Sequence, residues 1–136
     1  MIKILKLHIE EFRGIRKLDL DLDGKSFVVH GPNGSGKSGV VDAIGFALTG
    51  TIARLTGTGT GGLTVQHHGP HVHRRDDPGA AKVTLTFHDV ASGQIGTIER
   101  TVKSPALPAT SGVACWMALI PVLSNKQNKQ CARCRA

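Results

Sequence analysis

The chain has 136 residues, of which 40% are hydrophobic, 20% charged and 4% aromatic, which is enough for one domain with a hydrophobic core. Its longest apolar run, residues 113–123, contains eleven residues and a proline, whereas a membrane-spanning helix needs about 20 apolar residues. The composition therefore argues against a membrane protein. Because the first residues include several charges and form no secretory signal, we expect a cytoplasmic location.

The formal net charge is +7, from 17 Lys+Arg and 10 Asp+Glu. A basic chain suits an anionic partner such as nucleic acid. The excess is uneven, because residues 1–103 contain 13 Lys+Arg and all 10 acids, whereas residues 104–136 contain 4 Lys+Arg and no acid. More than half of the excess therefore lies in the last quarter, which weakens the case for nucleic acid. The 3 cysteines are predicted to be thiols rather than a disulfide framework.

The first half of the chain predicts three strands and a helix. Apolar and polar residues alternate over residues 2–9, and leucine alternates with aspartate over residues 18–23, so each segment is predicted to be a half-buried strand. Residues 26–30 form a short apolar run before a glycine-rich loop, which predicts a buried strand. Beyond Gly36 the apolar residues recur at helical spacing until a Thr-Gly pair at 49–50, which predicts one helix.

The second half predicts less structure. Residues 49–81 are rich in Gly, Thr, His and charged residues, so we expect a long, exposed and mobile connection. Residues 82–88 and 96–102 alternate again and are predicted to form a hairpin. Residues 104–136 contain no acid and little periodicity, so we expect a disordered or non-native tail. The predicted domain is therefore residues 1–103.

The loop before the helix carries the strongest chemical signal. It matches the phosphate-loop pattern of Gly, four residues and Gly-Lys-Ser, between a predicted strand and a predicted helix. The glycines allow backbone amides to approach a polyphosphate closely, and the helix N-terminus adds its dipole. Lys37 is predicted to bind the β- and γ-phosphates of ATP, and the Ser38 hydroxyl to bind Mg²⁺. The predicted ATP site comprises Gly31, Pro32, Asn33, Gly34, Ser35, Gly36, Lys37 and Ser38.

The sequence resembles the N-terminal ATPase segment of SMC-like proteins and of SbcC-type repair ATPases, with RecF-like and RecN-like ATPases as further relatives. The resemblance covers about residues 1–103. It is carried by Phe-Arg-Gly-Ile at 12–15, the Leu-Asp alternation, the loop at 31–38, and the Val-Asp-Ala-Ile and Phe-Ala-Leu-Thr-Gly segments of the helix. The residue after Ser38 is Gly39, where many relatives have a hydroxyl side chain.

The resemblance implies an α/β fold of the P-loop NTPase type. It would be an ABC-ATPase-like N-terminal lobe with a mixed sheet, one main helix and a peripheral antiparallel meander. It also implies ATP and Mg²⁺ as cofactors and a role in double-strand-break repair or chromosome maintenance. The implied partners are a second ATPase head, a C-terminal half, DNA and an SbcD-like nuclease, in a nucleoid-associated cytoplasmic protein.

Parts that complete the ATPase in that family are missing from this sequence. It contains no heptad segment, no apolar strand ending in Asp-Glu and no Ser-Gly-Gly signature. We therefore expect a truncated segment with no catalytic residue of its own, which does not hydrolyse ATP alone. Two alternatives stay open: a non-catalytic nucleotide-binding fragment, or an ABC-type ATPase of a phage-defence or transport system.

Other residues allow two interpretations each. Arg13 lies where the family places a basic residue near the nucleotide or DNA, but it also fits an ordinary surface arginine. Asp42 could lie near Mg²⁺, or be favoured by the helix dipole alone. Candidate DNA contacts, or ordinary surface charges, are Arg74, Arg75, Arg100 and Lys103.

Two groups of potential metal ligands are predicted not to form metal sites. The histidine cluster has no carboxylate or thiol at the usual ligand spacing, so a solvated loop is predicted for His67, His68, His71 and His73. Cys131 and Cys134 form half of a zinc pattern, and the SbcC-like family carries a Cys-x-x-Cys hook. No heptads flank this pair, so a basic tail is the favoured interpretation.

Overall fold

The computed structural model describes residues 1–55 and 64–112. In this part of the chain, five strands form one sheet and a 13-residue helix packs against it. The elements are β1 (Ile2–Phe12), β2 (Ile15–Asp21), α1 (Lys37–Thr49), α2 (Val65–His68), β3 (Lys82–Asp89), β4 (Gln94–Thr101) and β5 (Ala109–Ser111), with 3₁₀ turns at Ala53–Leu55 and Val72–Arg74. The first two strands, the helix and the hairpin of β3 and β4 confirm the sequence predictions. No helix among the described residues is long and apolar enough to cross a membrane.

The sheet is antiparallel, with strand order β2-β1-β3-β4-β5. β1 is joined to β2 by a turn at Arg13 and Gly14, and it pairs with β3 on its other side. The prediction of a mixed sheet is therefore wrong for the described residues. The reason is that the segment expected to add another buried strand, residues 26–30, belongs to no strand in this part of the chain.

Residues 26–30 are exposed, although their apolar run predicted a buried strand. Val28 is 89% exposed, Phe27 40% and Val29 39%. A strand becomes buried only where a neighbouring strand satisfies its backbone and other elements cover its faces. Neither occurs for this segment within the described residues. It borders an apolar groove of about 760 Å³, whose other wall includes Leu18 and Leu20 of β2.

The core lies between α1 and the inward face of the sheet. Alternation along the strands turns one set of side chains inward, and helical spacing turns one side of α1 toward them. These buried residues include Leu7, Ile9, Val83, Leu85, Val40, Ala43, Phe46 and Ala47. The rings of Phe12 and Phe46 stack with centroids 5.2 Å apart. This contact holds the C-terminal part of α1 against the end of β1.

The connection between α1 and β3 is attached to the sheet in its described part. The backbone N–H of Arg13 donates to Gly69 O at 2.7 Å, and the N–H of His71 donates to Glu11 O at 2.6 Å. Gly69 is buried, whereas most of residues 71–79 are exposed, as expected. The segment around Gly69 therefore packs beside the turn between β1 and β2. Residues 56–63 of this connection lie outside the described residues.

The sheet continues beyond residue 103, where a tail was expected to begin. β5 pairs with β4, with Thr110 opposite Ile98. The Pro105 carbonyl also accepts a hydrogen bond from Arg100. The expectation for the rest of the tail, including Cys131 and Cys134, lies outside the described residues.

Arg100 is a buried residue of β4, so its interpretation as a DNA contact is wrong. It is 2% exposed, and burial lowers the pKa of its guanidinium to about 10. Its Nε donates to Ala47 O at 3.0 Å, and its Nη2 donates to Leu48 O at 3.5 Å. The last carbonyls of a helix have no partner within the helix and form the negative end of its dipole. Arg100 therefore caps the C-terminus of α1.

Gly45→Ala is expected to raise the free energy of unfolding by about 0.5–1 kcal/mol, because glycine loses more backbone entropy in a helix than alanine does. Nothing lies within 4 Å of the position that a Cβ of residue 45 would take. Thermal unfolding should show a higher midpoint. The control is Gly50→Ala, which should lower the midpoint, because Gly50 has a φ of 76° and a Cβ there would lie 2.5 Å from Pro105 O. A lower midpoint for Gly45→Ala would contradict the prediction.

His8 lies on the outward face of the sheet between two carboxylates. Its Nδ1 contacts Asp19 on β2, and its Nε2 lies 3.1 Å from Glu10 Oε1. The hydrogen bond with Asp19 raises the pKa of His8 above its ordinary value of 6.5, against the opposing effect of burial. Hydrogen bonding to His8 lowers the pKa of both Asp19 and Glu10. The cluster therefore stabilises the fold at mildly acidic pH, where the imidazole is protonated and both acids are ionised.

His8→Asn is expected to lower the stability of the protein most below pH 6.5, where His8 is protonated in both the folded and the unfolded wild-type chain. The wild-type protein itself loses this stabilisation as the pH rises through the raised pKa of His8. Thermal midpoints measured from about pH 5.5 to about pH 8.5 should show a difference between wild type and variant that shrinks with rising pH. His88→Asn is the control, because His88 shares this face and forms no ion pair with the described residues. A difference independent of pH for His8→Asn would contradict the prediction.

Candidate nucleotide-binding site

The loop at residues 31–38 depends on glycines for its backbone shape. Gly34 and Gly36 have φ values of 84° and 87°, in the left-handed region that residues with a Cβ seldom adopt. At Gly31, a Cβ would lie 3.0 Å from Ser35 Oγ. Side chains at these positions would strain or crowd the loop. Because these positions have no side chains, a ligand can approach the backbone of the loop closely.

Helix α1 begins directly after this loop, at Lys37. Gly36 precedes it in a left-handed conformation, and no side chain caps the first turn. The amides of a first turn have no acceptor within the helix, so they form a positive end that attracts anions. The Lys37 Nζ donates to Gly31 O and Pro32 O, both at 2.6 Å. The lysine ammonium and the loop backbone are therefore in direct contact.

A cavity of about 420 Å³ lies beside the loop. Residues of the turn after β1, of α1 and of the segment before β3 form its walls with the loop. They include Arg13, Asn33, Gly34, Gly36, Lys37, Ser38, Asp42, His68, Pro70, Val72 and Arg75. Three of these side chains carry a positive charge and one carries a negative charge. The cavity therefore favours a polyanion, and the Ser38 hydroxyl supplies an oxygen that suits Mg²⁺.

Arg13 lies in the turn between β1 and β2, in an unusual backbone conformation. Its φ is 55°, which costs a residue with a Cβ about 1–2 kcal/mol. Its Nη1 donates to His68 O at 3.0 Å. Backbone strain of this kind persists only where the surrounding structure compensates for it, and it is common at functional sites. The contact of Arg13 with nucleotide or DNA stays a prediction.

Asp42 contacts two arginines. Its side chain is 6% exposed, with Oδ2 lying 3.4 Å from Arg13 Nε and Oδ1 lying 3.5 Å from Arg54 Nε. Asp42 is five residues beyond the first residue of α1, so the charge of the two guanidinium groups explains its position more directly than the helix dipole does. Sequence reasoning missed Arg54, because an arginine in a glycine- and threonine-rich stretch has no recognisable pattern.

A side chain at the position after Ser38 would be in tight contact with the turn between β1 and β2. Gly39 is buried, and a Cβ there would lie 3.2 Å from Ile15 Cδ1 and 3.6 Å from Arg13 Cβ. A hydroxyl side chain would require Ile15 to move. Glycine at this position therefore avoids crowding Ile15.

The remaining candidates divide between the cavity and the surface. Arg75 and His68 line the cavity, whereas Arg74 and Lys103 are exposed elsewhere. Within the described ranges, no group of three or more His, Cys, Asp or Glu side chains could hold a metal ion. The wall formed by residues 68–75 was also not predicted, since nothing in its composition indicates that it folds back toward residues 31–38.

Comparison with known proteins identifies the family. A family model described as an AAA domain matches residues 6–111. The chain therefore belongs to the AAA domain family, and the resemblance to SMC-like and SbcC-type ATPases is confirmed.

Two relatives carry this comparison. The chain is 40% identical over 111 residues to the chromosome partition protein Smc of Methanocaldococcus jannaschii, covering 76% of this chain and 9% of that protein. It is 38% identical over 102 residues to the SbcC component of the nuclease SbcCD of Deinococcus radiodurans, covering 74% of this chain and 10% of that protein. The chain thus spans about a tenth of the length of these curated relatives.

Proposed function

We propose that this chain is the Mg·ATP-binding N-terminal lobe of an SMC-like or SbcC-like ATPase with a P-loop NTPase fold. The observation that carries the proposal is the cavity between residues 31–38 and Arg13, where glycine backbone, a helix N-terminus, Lys37 and Ser38 meet. These groups suit a magnesium-bound polyphosphate, because each supplies a positive charge, an amide donor or a metal-binding oxygen. The loop residues predicted from the motif are the proposed ligands.

Each residue has a separate role in this proposal. The backbone amides of the loop and of the first turn of α1 donate to phosphate oxygens. Lys37 neutralises charge on the β- and γ-phosphates, and Ser38 holds Mg²⁺ through its hydroxyl. Arg13 and Arg75, which line the same cavity, add positive charge at its edge. Mg²⁺, when bound, shields the phosphate charge and favours attack at the γ-phosphorus.

Hydrolysis needs an oriented water and stabilisation of the transferring phosphoryl group, beyond phosphate binding. We propose that a C-terminal half and a second ATPase head supply these groups. The exposed apolar side chains of Phe27, Val28 and Val29 and the groove of about 760 Å³ support this, because they offer an apolar surface against which further elements would pack. In this proposal the chain alone binds ATP and does not hydrolyse it.

The process that ATP binding serves is proposed from the relatives' names. One is a chromosome partition protein and another is part of a nuclease, so the proposed role is chromosome maintenance or DNA double-strand-break repair, with DNA as a ligand of the whole protein. An SbcD-like nuclease partner and a cytoplasmic, nucleoid-associated location belong to the same proposal. A transport or phage-defence ATPase remains the alternative for the process.

Lys37→Ala is expected to remove most Mg·ATP binding, because this lysine is the cation that the motif fixes at the β- and γ-phosphates. Calorimetric titration of both proteins with Mg·ATP measures the effect. The control is Lys25→Ala, since Lys25 is an exposed lysine paired with Asp23 and does not line the cavity. Equal affinities of wild type and Lys37→Ala, or no binding by wild type, would refute the proposal.

A further inference from the structure

Asp42 holds two cations with one carboxylate. Arg13 approaches one carboxylate oxygen and Arg54 approaches the other, at 3.4 and 3.5 Å. The three side chains together carry a net charge of +1, and the carboxylate at their centre is 6% exposed. A buried carboxylate that loses its only cation is strongly destabilised, whereas one that keeps a second cation is not.

The two arginines differ in their relation to the cavity. Arg13 lines it together with Lys37 and Ser38, whereas Arg54 does not and has a side chain that is 58% exposed. Asp42 Oδ2, the oxygen that faces Arg13, accepts no hydrogen bond from the described residues, so this pair is held by charge. Arg13 is therefore the cation that a polyanion in the cavity can attract away from Asp42.

We propose that Mg·ATP binding draws the Arg13 guanidinium from Asp42 toward the polyphosphate, and that Arg54 keeps the buried carboxylate paired when this happens. The inference rests on the proposed function, since it requires a nucleotide in the cavity. Arg54 acts as a positioning residue: it does not touch the nucleotide, and it determines how readily Arg13 does. No covalent bond is made or broken: Arg13 exchanges its ion pair with Asp42, and the hydrogen bond from its Nη1 to His68 O, for contacts with the polyphosphate.

The test is a set of Mg·ATP affinities measured by calorimetry on the full chain. Arg54→Gln should weaken binding about tenfold, because Arg13 then becomes the only cation paired with Asp42 among the described residues and stays with it. In the Arg13→Gln background, the further change Arg54→Gln should have no effect. Arg54→Lys should keep an affinity close to wild type, since the lysine retains a cation for Asp42.

Asp42→Asn provides a second arm. In the Arg54→Gln protein, adding Asp42→Asn should restore affinity, because no buried carboxylate then retains Arg13. A loss caused by misfolding would not be restored in this way. Arg74→Gln is the charge-matched control, as Arg74 is exposed and outside the cavity, and it should leave the affinity unchanged.

A spectroscopic measurement follows the exchange directly. In spectra of the arginine Nε–H groups, addition of Mg·ATP should move the Arg13 signal while the Arg54 signal remains that of an ion-paired group. Two results would overturn the inference alone: Arg54→Gln binding as tightly as wild type, or an Arg54→Gln effect that persists without Arg13. Absence of Mg·ATP binding by the wild-type chain would overturn both the inference and the proposed function.

Discussion

Phe46→Ala is expected to lower the free energy of unfolding by about 3–5 kcal/mol, since it removes a buried aromatic side chain and leaves a cavity behind. Phe46 is fully buried, and its ring stacks on Phe12 at 5.2 Å between centroids. The surrounding residues lie on both α1 and the sheet, so the site collapses only if the two layers shift together. Denaturant unfolding with a linear extrapolation measures the change.

The matched control is Phe27→Ala, which makes the same change at a side chain that is 40% exposed. It should alter the free energy of unfolding by less than about 0.5 kcal/mol. Phe46→Leu, which keeps most of the volume, provides a milder variant if Phe46→Ala does not fold. Similar losses for Phe46→Ala and Phe27→Ala would contradict the described core.

Arg100→Met is expected to lower the free energy of unfolding by about 2–4 kcal/mol. The change removes a guanidinium that donates hydrogen bonds to several backbone carbonyl groups at once. Ala47 O, Leu48 O and Pro105 O all accept hydrogen bonds from this guanidinium. Methionine fills a similar length of the buried space, so the loss reports the hydrogen bonds and the charge at the end of α1 more than packing. Thermal and denaturant unfolding measure it.

Arg16→Met is the control for Arg100→Met. Its guanidinium belongs to a side chain that is 70% exposed, and its Nε lies 3.9 Å from Glu11 Oε1. Exposed ion pairs contribute little, so this change should cost less than about 1 kcal/mol. A loss for Arg100→Met no larger than that for Arg16→Met would show that Arg100 does not hold the end of α1.

The sequence by itself determined the elements that bury one face. β1, β2 and the hairpin of β3 and β4 have a period of two, and α1 has helical spacing between Gly36 and Gly50. These patterns predict the elements correctly because each element buries one face, and the periodicity is the same whichever element packs against that face. The phosphate-loop motif was equally visible, since it is a local pattern of residue types. Its role in binding ATP stays a prediction.

Only the tertiary structure decided the contacts that join distant parts of the chain. From the sequence, Arg100 was a candidate surface cation, whereas in the structure it donates to a carbonyl at the C-terminus of α1. Asp42 was a candidate for stabilisation by the helix dipole, whereas in the structure it pairs with Arg13 and Arg54. Residues 26–30 show the converse, because their apolar pattern states what the segment can bury and not whether a partner strand is present. Burial and ion pairing depend on which groups meet in space, and a one-dimensional pattern does not contain that information.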